Sequence, residues 1–109
     1  MVYIGTRTHY GGSEAAFGLL QDDRHHHLYI IGKTGVGKTS LLENLILQDI
    51  AAGRGVGVID PHGDLAVNLL EKLPPSDRER VLYFHAADLD FPIAFNPLHE
   101  VPENRKHLV

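Results

Sequence analysis

Apolar positions along the chain gather into short runs of two kinds. Three are nearly unbroken: Leu28-Tyr29-Ile30-Ile31, Val56-Gly57-Val58-Ile59 and Val81-Leu82-Tyr83-Phe84. Runs of this length, rich in β-branched and aromatic residues, predict strands, and their continuous apolarity predicts burial on both faces of a parallel sheet. Between the first two the spacing changes. Leu41, Leu42, Leu45, Ile46 and Ile50 recur at helical intervals, predicting a helix over 38–52 with Glu43, Gln48 and Asp49 on its outer side. Gly53 is its expected left-handed cap. At 1.5 Å per residue this helix is about 22 Å long, enough to cover one sheet face. Strand, helix and strand in this order predict a right-handed βαβ unit.

The rest of the pattern is less regular. Residues 2–4 read as a short edge strand or loop, ahead of Gly11 and Gly12. Residues 14–20 read as a strand, because Gly18 weakens a helix there. Residues 21–24 are polar and predict a turn. His25, His26 and His27 then lead into the first apolar run; in a strand only His25 and His27 share a face, so a polar strand entrance is expected. After the second run, residues 61–64 predict a turn, with Asp64 the expected N-cap of a helix over 65–73 that Pro74 and Pro75 stop. Ser76-Asp77-Arg78-Glu79 has the spacing of a capping box for one short turn. Residues 86–98, with Pro92 and Pro97, predict an extended segment. Residues 102–109 predict the opening of a helix that ends after about two turns, as if cut off.

The junction between the first strand and the helix carries the strongest chemical signal. Gly32-Lys33-Thr34-Gly35-Val36-Gly37-Lys38-Thr39 has the form G-x-x-x-x-G-K-T, the Walker A phosphate-binding loop, in the strand-before and helix-after context that the motif requires. Gly32, Gly35 and Gly37 allow positive φ and close approach of the backbone to a ligand. Successive amides then form a nest for anionic oxygens, and the positive end of the helix points to the same place. In this scheme Lys38 brings its charge to the β- and γ-phosphates and the Thr39 hydroxyl is a ligand for Mg²⁺, a cation that takes oxygen donors. The candidate nucleotide-binding residues are therefore Gly32, Lys33, Thr34, Gly35, Val36, Gly37, Lys38, Thr39 and Ser40, with ATP and Mg²⁺ as the expected ligands. Asp60 ends the second strand on the side where open α/β sheets bind ligands, and with Lys38 it is the candidate catalytic residue. Its competing reading is a turn residue beside Pro61.

Composition narrows the setting. The 109 residues suit one small domain, and 43% hydrophobic with 22% charged residues is the balance of a globular chain. No apolar run is long enough to span a bilayer, and the absence of cysteine fits a reducing, cytoplasmic compartment. The net charge of −4 is not the footprint of a nucleic-acid-binding surface, so any contact with DNA is expected to come from the rest of an assembly.

Three pieces together carry a family resemblance: H-L-Y-I-I-G-K-T-G-V-G-K-T over 27–39, V-I-D-P-H-G-D over 58–64 and F-N-P-L over 95–98. The first alone marks only the P-loop superfamily. With the other two, the run over 24–98 resembles the motor domains of the HerA–FtsK group of pumping ATPases, in the branch of type IV secretion DNA-binding (coupling-type) ATPases and HerA-like helicases. The resemblance implies an α/β P-loop NTPase fold with a mostly parallel sheet and flanking helices, and homo-oligomeric (hexameric) rings that move DNA. It divides the chain into an N-terminal segment over 1–24, an incomplete NTPase core over 25–98 and a truncated helix over 99–109. In such relatives the Walker B strand, sensor and arginine finger follow the third piece, and two of the later strands lie between the first two runs. The expectation is therefore ATP binding without complete hydrolytic machinery, open strand edges and weak stability. Two other readings remain at this point: a small stand-alone nucleotide-binding protein without a DNA role, and a histidine-based metal or structural module.

Overall fold

The computed structural model describes residues 1–90. It opens with a hairpin: β1 (Val2–Thr8) pairs antiparallel with β2 (Glu14–Leu19). The turn between them needs positive φ at Gly11 (106°) and Gly12 (81°), and it is closed by the His9 amide donating to the Ser13 carbonyl at 2.7 Å. The edge strand expected over 2–4 is thus longer, because its partner follows after only a few residues. Tyr3 faces Gly18 and Gly5 faces Phe17, which leaves Ile4 as an extra residue in a bulge. Gly18 is obligatory here, since a Cβ on it would lie 2.1 Å from the Val2 carbonyl oxygen.

Residues expected to be a plain turn form a short helix, α1 (Gln21–Arg24). The amides of His25, His26 and His27 continue it by donating to the carbonyls of Asp22, Asp23 and Arg24, and His27 leaves in the left-handed region at φ 69°. The histidines are therefore in a turn, not at a strand entrance. The main helix α2 (Lys38–Ala51) runs almost as its spacing predicts and ends at Gly53, φ 72°. Next come α3 (Asp64–Lys72) and the short α4 (Pro75–Arg78). The Arg78 side chain ties off the end of α3 by donating to the carbonyls of Leu73 (2.8 Å) and Glu71 (2.9 Å).

Two expected caps are not made as predicted. Asp64 is the first residue of α3 rather than its cap, a place taken by Gly63 at φ 86°. The capping box at Ser76 is replaced by a start on Pro75, whose fixed φ suits the first helical position.

The largest correction concerns the sheet. Among the described residues the only hydrogen-bonded sheet is the two-stranded antiparallel hairpin, and the mostly parallel sheet is absent. The runs 28–31, 56–59 and 81–84 are not strands. A parallel ladder needs a neighbouring strand of matching direction, and among the described residues none of these runs pairs with another. The inner sides of these runs still turn toward the helices. Val56, Val58 and Tyr83 line a cavity of about 360 Å³ against Ile46 and Leu69. Their outer sides lie open: Tyr29, Ile31 and Ile59 are all exposed, Ile59 at 97%, and Leu82 at the cavity's rim is exposed as well.

Among the described residues the packed centre is correspondingly small, consisting of Val2, Leu45, Leu69 and Leu73. Polar links around α2 supplement it. Gln48 pairs with the free edge of β1 as a strand would: the Tyr3 amide donates to Gln48 Oε1 and Gln48 Nε2 donates to the Tyr3 carbonyl, each at 2.8 Å. Glu43 receives Lys72 and the Asn68 amide from α3. Asp49 receives Arg24 from α1 and Arg54 from the segment after α2. Glu43 and Asp49 are buried, and neither they nor Gln48 point outward as predicted. An outer side assumes one neighbour, whereas α2 is contacted by the hairpin, α1 and α3 around its circumference.

Candidate phosphate-binding loop

Residues 32–39 fold back on themselves at the mouth of α2. Thr34 and Gly35 form a turn and Val36 and Gly37 a bend. Gly35 (φ 83°) and Gly37 (φ 90°) occupy the left-handed region, where a side chain is strained. Gly32 meets a different demand: a Cβ there would lie 2.7 Å from Val36 Cγ2. Gly37 is the N-cap of α2, and its carbonyl accepts the first intrahelical bond from Leu41 at 2.9 Å.

Lys38, the first residue of α2, bends its side chain over the loop. Its ammonium donates to the carbonyls of Gly32 and Lys33, both at 2.8 Å, and so closes a ring across the turn. These are backbone partners, and among the described residues no carboxylate neutralises the charge. Lys33 contributes its carbonyl, while Val36, Thr39 and Ser40 stand exposed at the helix mouth. The first turn of α2 contains no acidic residue. A helix N-terminus with nearby ammonium and hydroxyl groups and no competing carboxylate is suited to a polyanion.

Asp60 lies elsewhere. Its carboxylate accepts the amides of His62 (3.1 Å), Leu65 (2.8 Å) and Ala66 (3.2 Å), and among the described residues no hydrogen bond joins it to the loop. Partial burial pushes this carboxyl upward, but the amides of His62, Ala66, Gly63 and Leu65 outweigh it and hold the group below the usual carboxylate range. Asp60 thus fills the N-terminus of α3, the task expected of Asp64. The sequence signal for this was Pro61-His62-Gly63, a turn short enough to swing the amides of α3 back onto Asp60.

No group of three or more His, Asp or Glu residues that could hold a metal occurs among the described residues, so the histidine run does not assemble a site there. Nor is any helix among them long and apolar enough to cross a membrane.

A family model described as "Helicase HerA, central domain" matches residues 2–100. The similarity therefore reaches back through the hairpin, beyond the stretch over 24–98 that carries the motifs. No curated protein and no solved structure matches the chain.

Proposed function

The chain belongs to the family of the helicase HerA central domain, and from that premise we propose that it is the Mg-ATP-binding part of a motor ATPase. The observation that carries this reading is the curled loop itself: Gly35 and Gly37 at positive φ, set at the start of a 14-residue helix and bridged by Lys38. On polyphosphate binding the Lys38 ammonium exchanges its two carbonyl partners for phosphate oxygens, and the amides of the loop and of Thr39 and Ser40 surround them. Thr39 would hold Mg²⁺ through its hydroxyl, and the ion would supply neutralisation of phosphate charge. Phosphoryl transfer depends mainly on such positioning and charge stabilisation. Asp60, held ionised by its amide partners at the start of α3, is the proposed acidic group that would assist a bound Mg²⁺.

In the assembled protein the proposed work is DNA translocation by a hexameric ring, of the type IV secretion or HerA-like helicase kind, on the cytoplasmic side of the membrane. The net charge of −4 favours a second reading for the isolated chain, nucleotide binding with no DNA contact of its own.

Titration with a fluorescent ATP analogue tests the proposal. Saturable, Mg²⁺-dependent binding that Lys38→Ala weakens by about 10- to 100-fold is expected, the size of a lost charged hydrogen-bond set. Equal binding by Lys38→Ala would remove the loop from the site.

A further inference from the structure

Asp49 and Arg24 stand outside the phosphate loop, yet they close the stretch of chain that carries it. Asp49 is buried near the C-terminal end of α2, about three turns or ~16 Å from Lys38 along the helix. Arg24 Nη1 donates to Asp49 Oδ1 at 2.7 Å and Nη2 to Oδ2, a two-pronged pairing. The Arg54 guanidinium donates to the same Oδ1 at 2.8 Å, and the Arg54 amide donates to the Asp49 carbonyl at 2.9 Å. One carboxylate therefore gathers the end of α1, the end of α2 and the exit from α2.

Between Arg24 and α2 the chain runs through residues 28–31, which form no strand, and then through the loop. Apolar packing beneath this stretch is incomplete: Leu28 faces Leu42 and Leu45 across a space of about 280 Å³, with Arg24 and Asp49 in its wall. With neither a ladder nor close packing under residues 28–31, the orientation of the loop relative to α2 rests heavily on the anchored start at Arg24.

We propose that the Arg24–Asp49 ion pair is a positioning element for nucleotide binding: it clamps the segment that enters the phosphate loop onto the helix that leaves it. The inference rests on the nucleotide-binding reading above. Breaking the clamp leaves every group of the loop in place but lowers the fraction of molecules with the loop correctly set against α2, and apparent affinity falls by that fraction.

The test compares two ion pairs whose carboxylates are similarly buried on the same helix, Arg24 being less exposed than Lys72. Arg24→Ala removes the clamp; Lys72→Ala removes the partner of Glu43, which joins α2 to α3 and lies outside the clamped stretch. Affinity for a fluorescent ATP analogue with Mg²⁺ is read beside the thermal midpoint, on the full chain. Arg24→Ala is expected to raise Kd roughly tenfold, the size typical of coupling through a packed network. Arg24→Lys, which keeps the charge and loses the fork, is expected to fall between it and the wild type. Lys72→Ala should lower the midpoint with Kd changed less than twofold.

A second readout needs no nucleotide. Tryptic cleavage after Lys33 in the free protein should accelerate in Arg24→Ala and not in Lys72→Ala. Equal loss of affinity in both alanine variants, or unchanged affinity and cleavage in Arg24→Ala, would overturn the clamp. Failure of the wild type to bind nucleotide, with the cleavage difference present, would instead overturn the nucleotide reading and leave the clamp standing.

Discussion

The phosphate loop with α2 and the apolar runs around it ask for different things from the chain. The loop is closed by neighbours in sequence: Gly35 and Gly37 make the bends, Lys38 bridges back to Gly32 and Lys33, and α2 supplies its own backbone bonds. Nothing beyond a few residues is needed to give it shape. The runs 28–31 and 56–59 require parallel partners distant in sequence, and among the described residues they form no ladder. The hairpin makes the same point from the other side, since β2 begins a few residues after β1 ends and the two pair fully. Loop closure is cheap over such a distance, while parallel pairing needs a long crossover and a neighbour of the right direction. Among the described residues the loop is thus shaped without a parallel sheet beside it.

If this contrast is right, stability resides around α2, and the largest effect should come from its centre. Leu45 is only 7% exposed, one of four buried apolar residues among those described. Leu45→Ala is expected to cost about 2–5 kcal/mol, the range for emptying a buried leucine site. In a chain with so small a centre that should abolish cooperative unfolding monitored by helical circular dichroism. A sharp transition in Leu45→Ala would place the stable centre somewhere else.

The next effect belongs to the hairpin. Gly18→Ala puts a methyl group into the Val2 carbonyl, where the backbone leaves 2.1 Å. We expect a loss of about 1–3 kcal/mol through forced strand separation. Proteolysis at Arg7 should then precede cleavage in α2. Simultaneous loss of both elements would show that the docking of Tyr3 on Gln48 makes them one cooperative unit.

How much of this the residues announced follows from the same contrast of near and far. The extent of α2, its glycine cap and the bends of the loop are local properties, and the spacing of glycines and leucines displayed them. The sheet was misjudged because apolar runs report a demand for burial without reporting whether partners are present to meet it. Asp49, Glu43 and Gln48 were misplaced for a related reason, since helical spacing assigns polar residues to solvent unless a partner's position is known. Arg24 and Lys72 are distant in sequence from the carboxylates they meet. Asp60 is the intermediate case: its location at a turn was visible, but the amides it accepts depend on how tightly residues 61–63 bend.

The carboxylates give a pH test of smaller size. Arg24, followed by Arg54, holds Asp49 below its usual 3.8, and Lys72 holds Glu43 below its usual 4.5, in both cases against the opposing effect of burial. A carboxyl depressed in the folded state stabilises it at pH values above the unfolded pKa. That contribution falls away as pH drops through the folded value. Thermal midpoints should therefore be flat from pH 7 to about 5 and decline below about 4.5, with Lys72→Ala showing a shallower decline. A decline that begins near neutrality would point to groups other than these two.

The smallest effect on stability should come from the outer side of the apolar runs. Ile59 is 97% exposed, and among the described residues neither a ladder nor packing engages it, so Ile59→Lys removes almost no native contact there. We expect the unfolding free energy to change by less than about 0.5 kcal/mol, as for a surface position. Association is a different matter. Tyr29, Ile31, Ile59 and Leu82 leave apolar surface open, which promotes non-specific contact between molecules. Ile59→Lys should therefore reduce binding of an apolar fluorescent dye and delay light scattering on heating, while the low-concentration midpoint stays the same. If it instead cost as much as Leu45→Ala, Ile59 would have to be buried in solution. The runs would then already possess the partners that only the loop and hairpin find among the described residues.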